Sequence, residues 1–222
     1  MESLSSPIFL DSLGPETSLT LVPLTAAQPQ HSLEAPLANS LRHQGRRQAF
    51  WAGRQAAHLA LARQGCEGFP LLKTPYHGPL WPSGQVGSIS HGGGWAGCLL
   101  AKAGFSVTGL GLDLEAATRT ANPNLVPRIA SPAEQAWLDL QPGSWGQSAL
   151  ELLCLKEALY KCLQPRLGVW FGFLDATVTP LEPGCFQLEP AEWLVKLGAP
   201  LRLPGQVRQW QNLLMAQVVW MG

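Results

Sequence analysis

Gly109-Leu110-Gly111-Leu112-Asp113-Leu114-Glu115 changes residue type with a period of two, the period of a β-strand. In a strand, Leu112 and Leu114 face a core while Asp113 and Glu115 share the opposite face. Two carboxylates side by side repel one another unless positive charge lies between them. A hard cation such as Mg²⁺ answers that need, because it takes one or two carboxylates together with phosphate oxygens. Alone, Asp-x-Glu reads first as the solvated face of a strand. Its meaning depends on whether the rest of the chain supplies a third carboxylate and groups that hold an anion.

The 222 residues are 46% apolar and 14% charged, the composition of a folding chain long enough for one large domain or two small ones. Cys66, Cys98, Cys154, Cys162 and Cys185 show no Cys-x-x-Cys spacing, which speaks against a disulfide framework or a zinc site and for reduced thiols. The chain opens Met1-Glu2-Ser3 without a basic segment leading into an apolar one, and no apolar run approaches a membrane span. A cytoplasmic protein without a membrane partner is expected. The net charge of zero hides an asymmetry. Between Ala35 and Leu112 the only acid is Glu67, against Arg42, Arg46, Arg47, Arg54, Arg63, Lys73 and Lys102, whereas from Asp113 onward ten acids face eight bases. A basic half followed by one that opens on paired carboxylates suits an anionic, metal-dependent ligand between them. Nucleic acid suits less well, since the bases are few and not interleaved with aromatic residues.

Residues 1–34, with four acids and no base, read as short strands and loops. Leu41 to Gln64 reads as a helix closed by Gly65, with Phe50, Ala57 and Leu61 at helical spacing. His43, Arg47, Arg54 and His58 fall on one side of it as a basic stripe, and Gly53 marks a close approach by another element. A turn-rich loop from Thr74 to Gly84 leads to Ser88-Ile89-Ser90, a short strand presenting His91 at its end, and to Gly92-Gly93-Gly94, where backbone amides can approach a ligand. Trp95 to Ala101 and Val107 to Glu115 are the next strands. Ser131-Pro132-Ala133-Glu134 is a capping box whose helix stops at Pro142; Ser148-Ala149-Leu150-Glu151 is a second, opening a helix through Leu163 that Pro165 ends. Glu157 and Lys161 stand four apart on it and share a face, the spacing of a surface ion pair. From Val169 to Trp220, short apolar runs broken by Pro and Gly predict antiparallel strands of a second sheet.

Spacing alone proposes phosphate chemistry at a carboxylate-held metal. The ordered motifs go further. Arg47 followed by Ala52-Gly53-Arg54-Gln55-Ala56-Ala57, then Pro79-Leu80-Trp81-Pro82-Ser83-Gly84, Gly87-Ser88-Ile89-Ser90-His91, Gly111-Leu112-Asp113-Leu114-Glu115 and Lys156-Glu157-Ala158-Leu159-Tyr160-Lys161, resembles the 4′-phosphopantetheinyl transferase family. The likeness is to the branch that includes the enterobactin-synthase component, and it covers residues 47 to 161. It implies an α+β fold of two similar lobes related by a pseudo-twofold, each a small antiparallel sheet packed with helices. Residues 1–104 would form a basic N-terminal lobe for the coenzyme A phosphates, and 105–222 a C-terminal lobe with the metal carboxylates and catalytic helix. The resemblance further implies Mg²⁺ held by Asp113, Glu115 and Glu157, coenzyme A as co-substrate, and transfer of 4′-phosphopantetheine to a serine of an apo acyl or peptidyl carrier protein with release of 3′,5′-ADP. Arg47, Arg54, Ser90 and His91 would then hold coenzyme A. Glu157 is the candidate general base, and Lys161 binds the pyrophosphate and stabilises its charge as the bond breaks. A monomer is expected, with Ala121 to Ile129 as the docking patch for the carrier. A coenzyme A or carrier-binding module without catalysis and a Mg²⁺-dependent phosphohydrolase are the alternative readings.

Overall fold

Among the residues that the structure, a computed structural model, describes (6–11, 17–76, 78–103, 106–141 and 143–222), the strands form two antiparallel sheets. In the first, β1 (Ile8–Asp11), β2 (Thr17–Pro23), β3 (Gln85–Gly92) and β4 (Trp95–Lys102) lie in the order β1-β2-β4-β3. In the second, β5 (Gly109–Ala116), β6 (Ala176–Glu182), β7 (Cys185–Pro190), β8 (Leu203–Trp210) and β9 (Leu213–Trp220) lie in the order β5-β9-β8-β7-β6. A short helix, α1 (Ala35–Asn39), precedes α2 (Gln44–Ala62), which covers the first sheet. After α3 (Val126–Ile129) and α4 (Pro132–Asp139), α5 (Trp145–Leu167) covers the second, and α6 (Glu192–Lys196) joins β7 to β8. This is the expected α+β fold of two similar lobes.

Strand alternation becomes layering. Val22, Cys98 and Leu100 face α2, meeting Ala52, Ala56, Ala57, Ala60 and Leu61. One residue out of phase, Leu19, Leu21 and Leu99 face the other sheet, where they meet Leu110, Leu112 and Leu114 of β5 and Leu213, Met215 and Val219 of β9. The opposite face of β9, with Leu214, Ala216, Val218 and Trp220, packs on Leu155, Ala158, Leu159 and Cys162 of α5. The layers therefore run helix, sheet, sheet, helix, and β9 is buried at all eight positions because both its faces are covered. Each fully buried leucine contributes about 1.5–3 kcal/mol relative to solvent, so the central layer of leucines binds the lobes to one another.

Small residues set how closely the layers approach. A Cβ on Gly53 would lie 2.8 Å from Ile89 Cγ2, the close approach expected of that glycine. On β5 the contact is tighter, for a Cβ on Gly111 would lie 1.8 Å from the carbonyl oxygen of Ala158 and one on Gly109 2.7 Å from that of Cys162.

Helix ends differ from the sequence reading. The capping box at Ser131 and Glu134 is present and opens α4, which ends at Asp139; Pro142 lies outside the described residues, as does Gly104, where the lobes were expected to divide. The second capping box is not a helix start. Ser148 N–H already donates to the carbonyl of Ser144 at 2.8 Å, so this Ser-x-x-Glu lies inside α5. Nor does Pro165 end the helix: although proline removes an N–H and its ring crowds the carbonyl four residues back, α5 runs through it to Leu167, and Gly168, with a φ of 68°, turns the chain away. The segment from Ala121 to Ile129 is no apolar docking patch, because Ala121, Val126 and Ile129 are core residues.

Gly111→Ala is expected to cost about 3 kcal/mol or more in chemical denaturation, the upper end for overpacking, because the obstructing atom belongs to a helix backbone. Gly45→Ala, with nothing within 4 Å of the added carbon, should cost no stability in the same measurement.

Candidate active site

Strand β5 has a strand neighbour on one side only, β9. An unpaired buried amide on the other edge would cost about 1–3 kcal/mol, and side chains fill the gap. Leu112 N–H donates to Ser88 Oγ at 3.0 Å, Leu114 N–H donates to Ser90 Oγ at 3.2 Å, and Lys161 Nζ donates to the carbonyl of Leu112 at 3.1 Å. Ser88 and Ser90 are two apart on β3, as Leu112 and Leu114 are on β5, so the two strands keep step. Ser90 Oγ also donates to Asp113 Oδ1 at 2.9 Å, and Lys161 Nζ donates to the same carboxylate oxygen at 2.7 Å and to Ser90 Oγ at 2.9 Å. Groups from β3, β5 and α5 thus close one triangle of hydrogen bonds.

Asp113 and Glu115 lie on the β5 face away from the leucines, as alternation requires. Glu115 accepts from Ala116 N–H at 3.0 Å and from the Arg119 guanidinium. Glu157, one turn before Lys161, forms no ion pair with it and accepts no hydrogen bond among the described residues; Lys161 turns to Asp113 instead. Burial pushes the Glu157 carboxyl above its usual range, repulsion from Asp113 adds to this, Lys161 opposes it, and Glu115 and Arg119 act more weakly in those two directions. Burial, then Asp113, likewise pushes the Cys154 thiol up. The three acids therefore share one electrostatic neighbourhood. They are not assembled around an ion, however: among the described residues no three His, Cys, Asp or Glu side chains form a metal-holding group. Asp113 is held by Lys161 and Ser90, and Glu115 by Arg119. In charge and donor type the set fits a hard divalent cation, since Glu157 is repelled by both other carboxylates.

The coenzyme A residues expected from the sequence are less uniform. The Ser90 hydroxyl donates once and accepts twice, which uses its whole capacity, and the residue is only 6% exposed. In this arrangement it links β3, β5 and α5. His91 is exposed and lies on the face of β3 that Ile89 presents to Gly53 of α2. Arg54 is buried, its guanidinium carbon 4.8 Å from the centre of the Phe50 ring and its Nε without a hydrogen-bond partner among the described residues. Arg47 donates to the carbonyls of Leu41 and Arg42 at 2.8 and 3.2 Å. The Arg54–His58 end of the basic stripe thus turns inward, while His43 is exposed: His58 Nε2 lies 2.7 Å from Oε1 of the buried Glu34, which also accepts from Leu71 N–H at 2.8 Å. The glycine cluster has a structural cause, since a Cβ on Gly92 would lie 2.0 Å from the Leu114 carbonyl oxygen and Gly93 and Gly94 turn the β3–β4 hairpin.

Sequence reasoning gave no role to Lys156. Its buried ammonium donates to Glu134 Oε2 at 2.8 Å and to the carbonyls of Ile129 and Phe173 at 2.7 and 2.9 Å, which uses all three N–H groups. Glu134 in turn accepts from Ser131 N–H at 2.6 Å and Val178 N–H at 2.7 Å. This node ties α3, α4 and β6 to the turn of α5 that carries Glu157. The capping-box motif identified the Ser131–Glu134 bond, but a local motif carries no signal for a partner 22 residues away.

Two cavities adjoin at Tyr160 and Lys161. One, of about 410 Å³, is lined by Glu157, Tyr160, Lys161, Trp170, Phe171 and Phe173 among others. The second, of about 510 Å³, is bordered by Tyr76, Gly78, Pro79, Trp81, Ser88 and Arg166 among others. Arg47, Arg54 and His91 line neither.

Residues 34–101 match the family model of the 4′-phosphopantetheinyl transferase N-terminal domain, and residues 109–211 that of the 4′-phosphopantetheinyl transferase superfamily. The chain is 32% identical over 175 residues to 4′-phosphopantetheinyl transferase PptT of Mycobacterium tuberculosis, covering 78% of this chain and 72% of that protein. The chain belongs to the 4′-phosphopantetheinyl transferase superfamily. Npt of Nocardia iowensis is 32% identical over 134 residues, and Svp of Streptomyces mobaraensis 30% over 138; both are 4′-phosphopantetheinyl transferases. The matches span 60% and 57% of this chain and 59% and 52% of those two. As a phosphopantetheinyl transferase the chain is the enzyme expected from its motifs. No described helix is long and apolar enough to cross a membrane.

Two outcomes follow from the electrostatics of this transferase. Because Glu157 holds its proton more tightly folded than unfolded, its contribution to stability is present at low pH and lost as pH rises from the ordinary carboxylate range through the raised value. Glu157→Gln should therefore raise the melting temperature of the metal-free protein at neutral pH and flatten the decline in stability with pH. Lys156→Ala strands Glu134 in the core, and denaturant unfolding should show a loss of about 3–5 kcal/mol, the cost of breaking a buried pair from one side.

Proposed function

We propose that this transferase moves the 4′-phosphopantetheine group of coenzyme A to a serine of an apo acyl or peptidyl carrier protein, in a Mg²⁺-dependent reaction that releases 3′,5′-ADP. The observation that carries the reading is that Asp113, Glu115 and Glu157 share one electrostatic neighbourhood with Lys161, a residue that lines both cavities. The cavity walled by Tyr160, Trp170, Phe171 and Phe173 suits the uncharged pantetheine arm, and the one bordered by Tyr76, Trp81 and Arg166 suits the nucleotide. Arg47, Arg54, Ser90 and His91 are assigned to the coenzyme A phosphates from the N-terminal lobe, residues 1–104, and the chemistry to the C-terminal lobe, residues 105–222.

In this reading the carrier serine oxygen attacks the phosphorus that bears pantetheine, the bond from that phosphorus to the bridging oxygen breaks, and 3′,5′-ADP leaves with that oxygen. The serine proton passes to the Glu157 carboxylate. Glu157 is the candidate because, among the described residues, it accepts no hydrogen bond, whereas Asp113 and Glu115 are engaged by Lys161 and Arg119. Lys161 stabilises the charge that grows on the departing phosphate. Asp113, Glu115 and Glu157 would hold Mg²⁺, which when bound supplies positive charge to the pyrophosphate. We place the protein in the cytoplasm as a monomer, with no nucleic acid or membrane partner, in the enterobactin-synthase-component-like branch.

Incubated with coenzyme A, Mg²⁺ and an apo carrier protein, the chain should add the mass of one phosphopantetheine group to the carrier, and a chelator should abolish the gain. Glu157→Gln should bind coenzyme A yet slow transfer by about 10²- to 10⁴-fold, the usual weight of a general base. No mass gain across acyl and peptidyl carriers, or release of 3′,5′-ADP without any carrier, would overturn the proposal.

A further inference from the structure

We infer that Glu134 is a positioning residue that fixes the wall of the cavity proposed for the pantetheine arm. Its buried carboxylate accepts from Lys156 Nζ of α5 at 2.8 Å, from Val178 N–H of β6 at 2.7 Å and from Ser131 N–H at the start of α4 at 2.6 Å. Lys156 carries the link on to the carbonyls of Ile129, at the end of α3, and of Phe173, between α5 and β6. The residues so tied are the cavity wall or adjoin it: Lys156 and Phe173 line the space of about 410 Å³, as do Arg128, next to Ile129, and Ala176, two before Val178. Glu134 itself lines neither cavity, so it acts on a ligand only through these walls.

The wall needs such an anchor because its aromatic part follows the end of the helix. Trp170, Phe171 and Phe173 come after α5 ends at Leu167; Trp170 is 78% exposed, and Phe171 leans on Tyr160 with 5.0 Å between ring centres. Apolar contact is non-directional and lets such a segment slide. The bond from Lys156 to the Phe173 carbonyl has a direction and a length, and Glu134 keeps the ammonium in place, since without that carboxylate it would be an unpaired buried charge. Ser131 supplies a control on the same helix. Its hydroxyl caps α4 by accepting from Glu134 N–H at 3.3 Å and takes no part in the links to Lys156 and Val178. Comparing Ser131 with Glu134 therefore separates stabilising α4 from holding the wall. The inference deepens the proposed function and rests on its assignment of this cavity to the arm, not on turnover.

The test measures two ligands on the full chain by calorimetry without metal, with thermal unfolding on the same samples. Coenzyme A carries the arm and 3′,5′-ADP lacks it, so the ratio of their affinities isolates what the arm contributes. Glu134→Gln keeps the side-chain shape but sets an amide donor against N–H groups that need an acceptor. It should weaken coenzyme A binding by about 10-fold, the weight of one misfitted methylene in an apolar pocket, and leave 3′,5′-ADP affinity unchanged. Ser131→Ala should lower the melting temperature and bind both ligands like the wild type. If Glu134→Gln weakens both ligands equally, or neither, the carboxylate only stabilises the lobe and the inference fails. It fails as well if Ser131→Ala loses coenzyme A affinity to the same extent. Should Glu134→Gln not fold, Glu134→Asp keeps the charge but is one methylene too short to span Lys156 and Val178 together, and gives the same comparison. A wild type that binds coenzyme A no more tightly than 3′,5′-ADP would overturn the arm's place in this cavity and the inference with it. One that binds coenzyme A more tightly yet modifies no carrier would sink the transfer reaction and leave Glu134 to be decided by the affinity ratios of the variants.

Discussion

Strand β5 lacks a neighbour on one edge, and the site grows out of how that gap is closed. An exposed row of strand amides and carbonyls is a liability that proteins cover. A further strand would pair the whole row and leave nothing over for chemistry. Side chains pair it only at chosen points, and each brings a polar group with bonds to spare. Ser90, having accepted from Leu114, still donates to Asp113; Lys161, having donated to Leu112, still reaches Asp113 and Ser90. One set of groups thus meets a folding requirement and organises the acids.

The opposite requirement acts on the face of β5 toward α5. Glycine at 109 and 111 brings the helix down onto the strand, and this proximity puts Glu157 within the field of Asp113 and Glu115. Burial and like charge make that arrangement unfavourable for the ionised acids. The fold retains it because α5 is pinned elsewhere, by the leucine and alanine contacts with β9 and by the Lys156–Glu134 node one residue before Glu157. That node is buried on both sides yet satisfied at every donor, the condition under which a buried ion pair is tolerable. Stability gathered in the helix–sheet core thereby sustains a locally unfavourable cluster of carboxylates.

The features legible in the sequence were those set by neighbours along the chain. A period of two fixed the opposite faces of β5, so Leu112 and Leu114 went to the core and Asp113 and Glu115 away from it. Gly53 announced Ile89 because a glycine inside a helix needs a reason. What failed were local patterns that several environments share. Ser148-Ala149-Leu150-Glu151 has the letters of a capping box, but Trp145 to Gln147 had already begun the helix. Glu157 and Lys161 have the spacing of a surface ion pair, yet Lys161 finds three acceptors in the other direction, on β5 and on Ser90 of the other sheet. The bond from Leu114 N–H to Ser90 was not legible either, because nothing near Ser90 in sequence tells of a strand edge 24 residues away. Of the basic stripe, the charge was legible and the inward turn of Arg54 and His58 was not, since it depends on Phe50 and on Glu34.

The two protein cations at the acids are not equivalent, and the difference bears on how the site can rearrange. Arg119 holds Glu115 from a side chain that is 54% exposed, so on release it returns to water at little cost. Lys161 is less exposed, and a buried ammonium without acceptors would be costly. It has three acceptors, however, and if Asp113 turns to another partner, Ser90 Oγ and the Leu112 carbonyl remain. Both acids can therefore be given up without displacing the backbone of β5 or α5. The alternative, a lysine bonded to Asp113 alone, would couple every change at that carboxylate to a shift of the helix. A serine hydroxyl and an edge carbonyl beside it spare the fold that coupling, and both are there because β5 has no strand on that side.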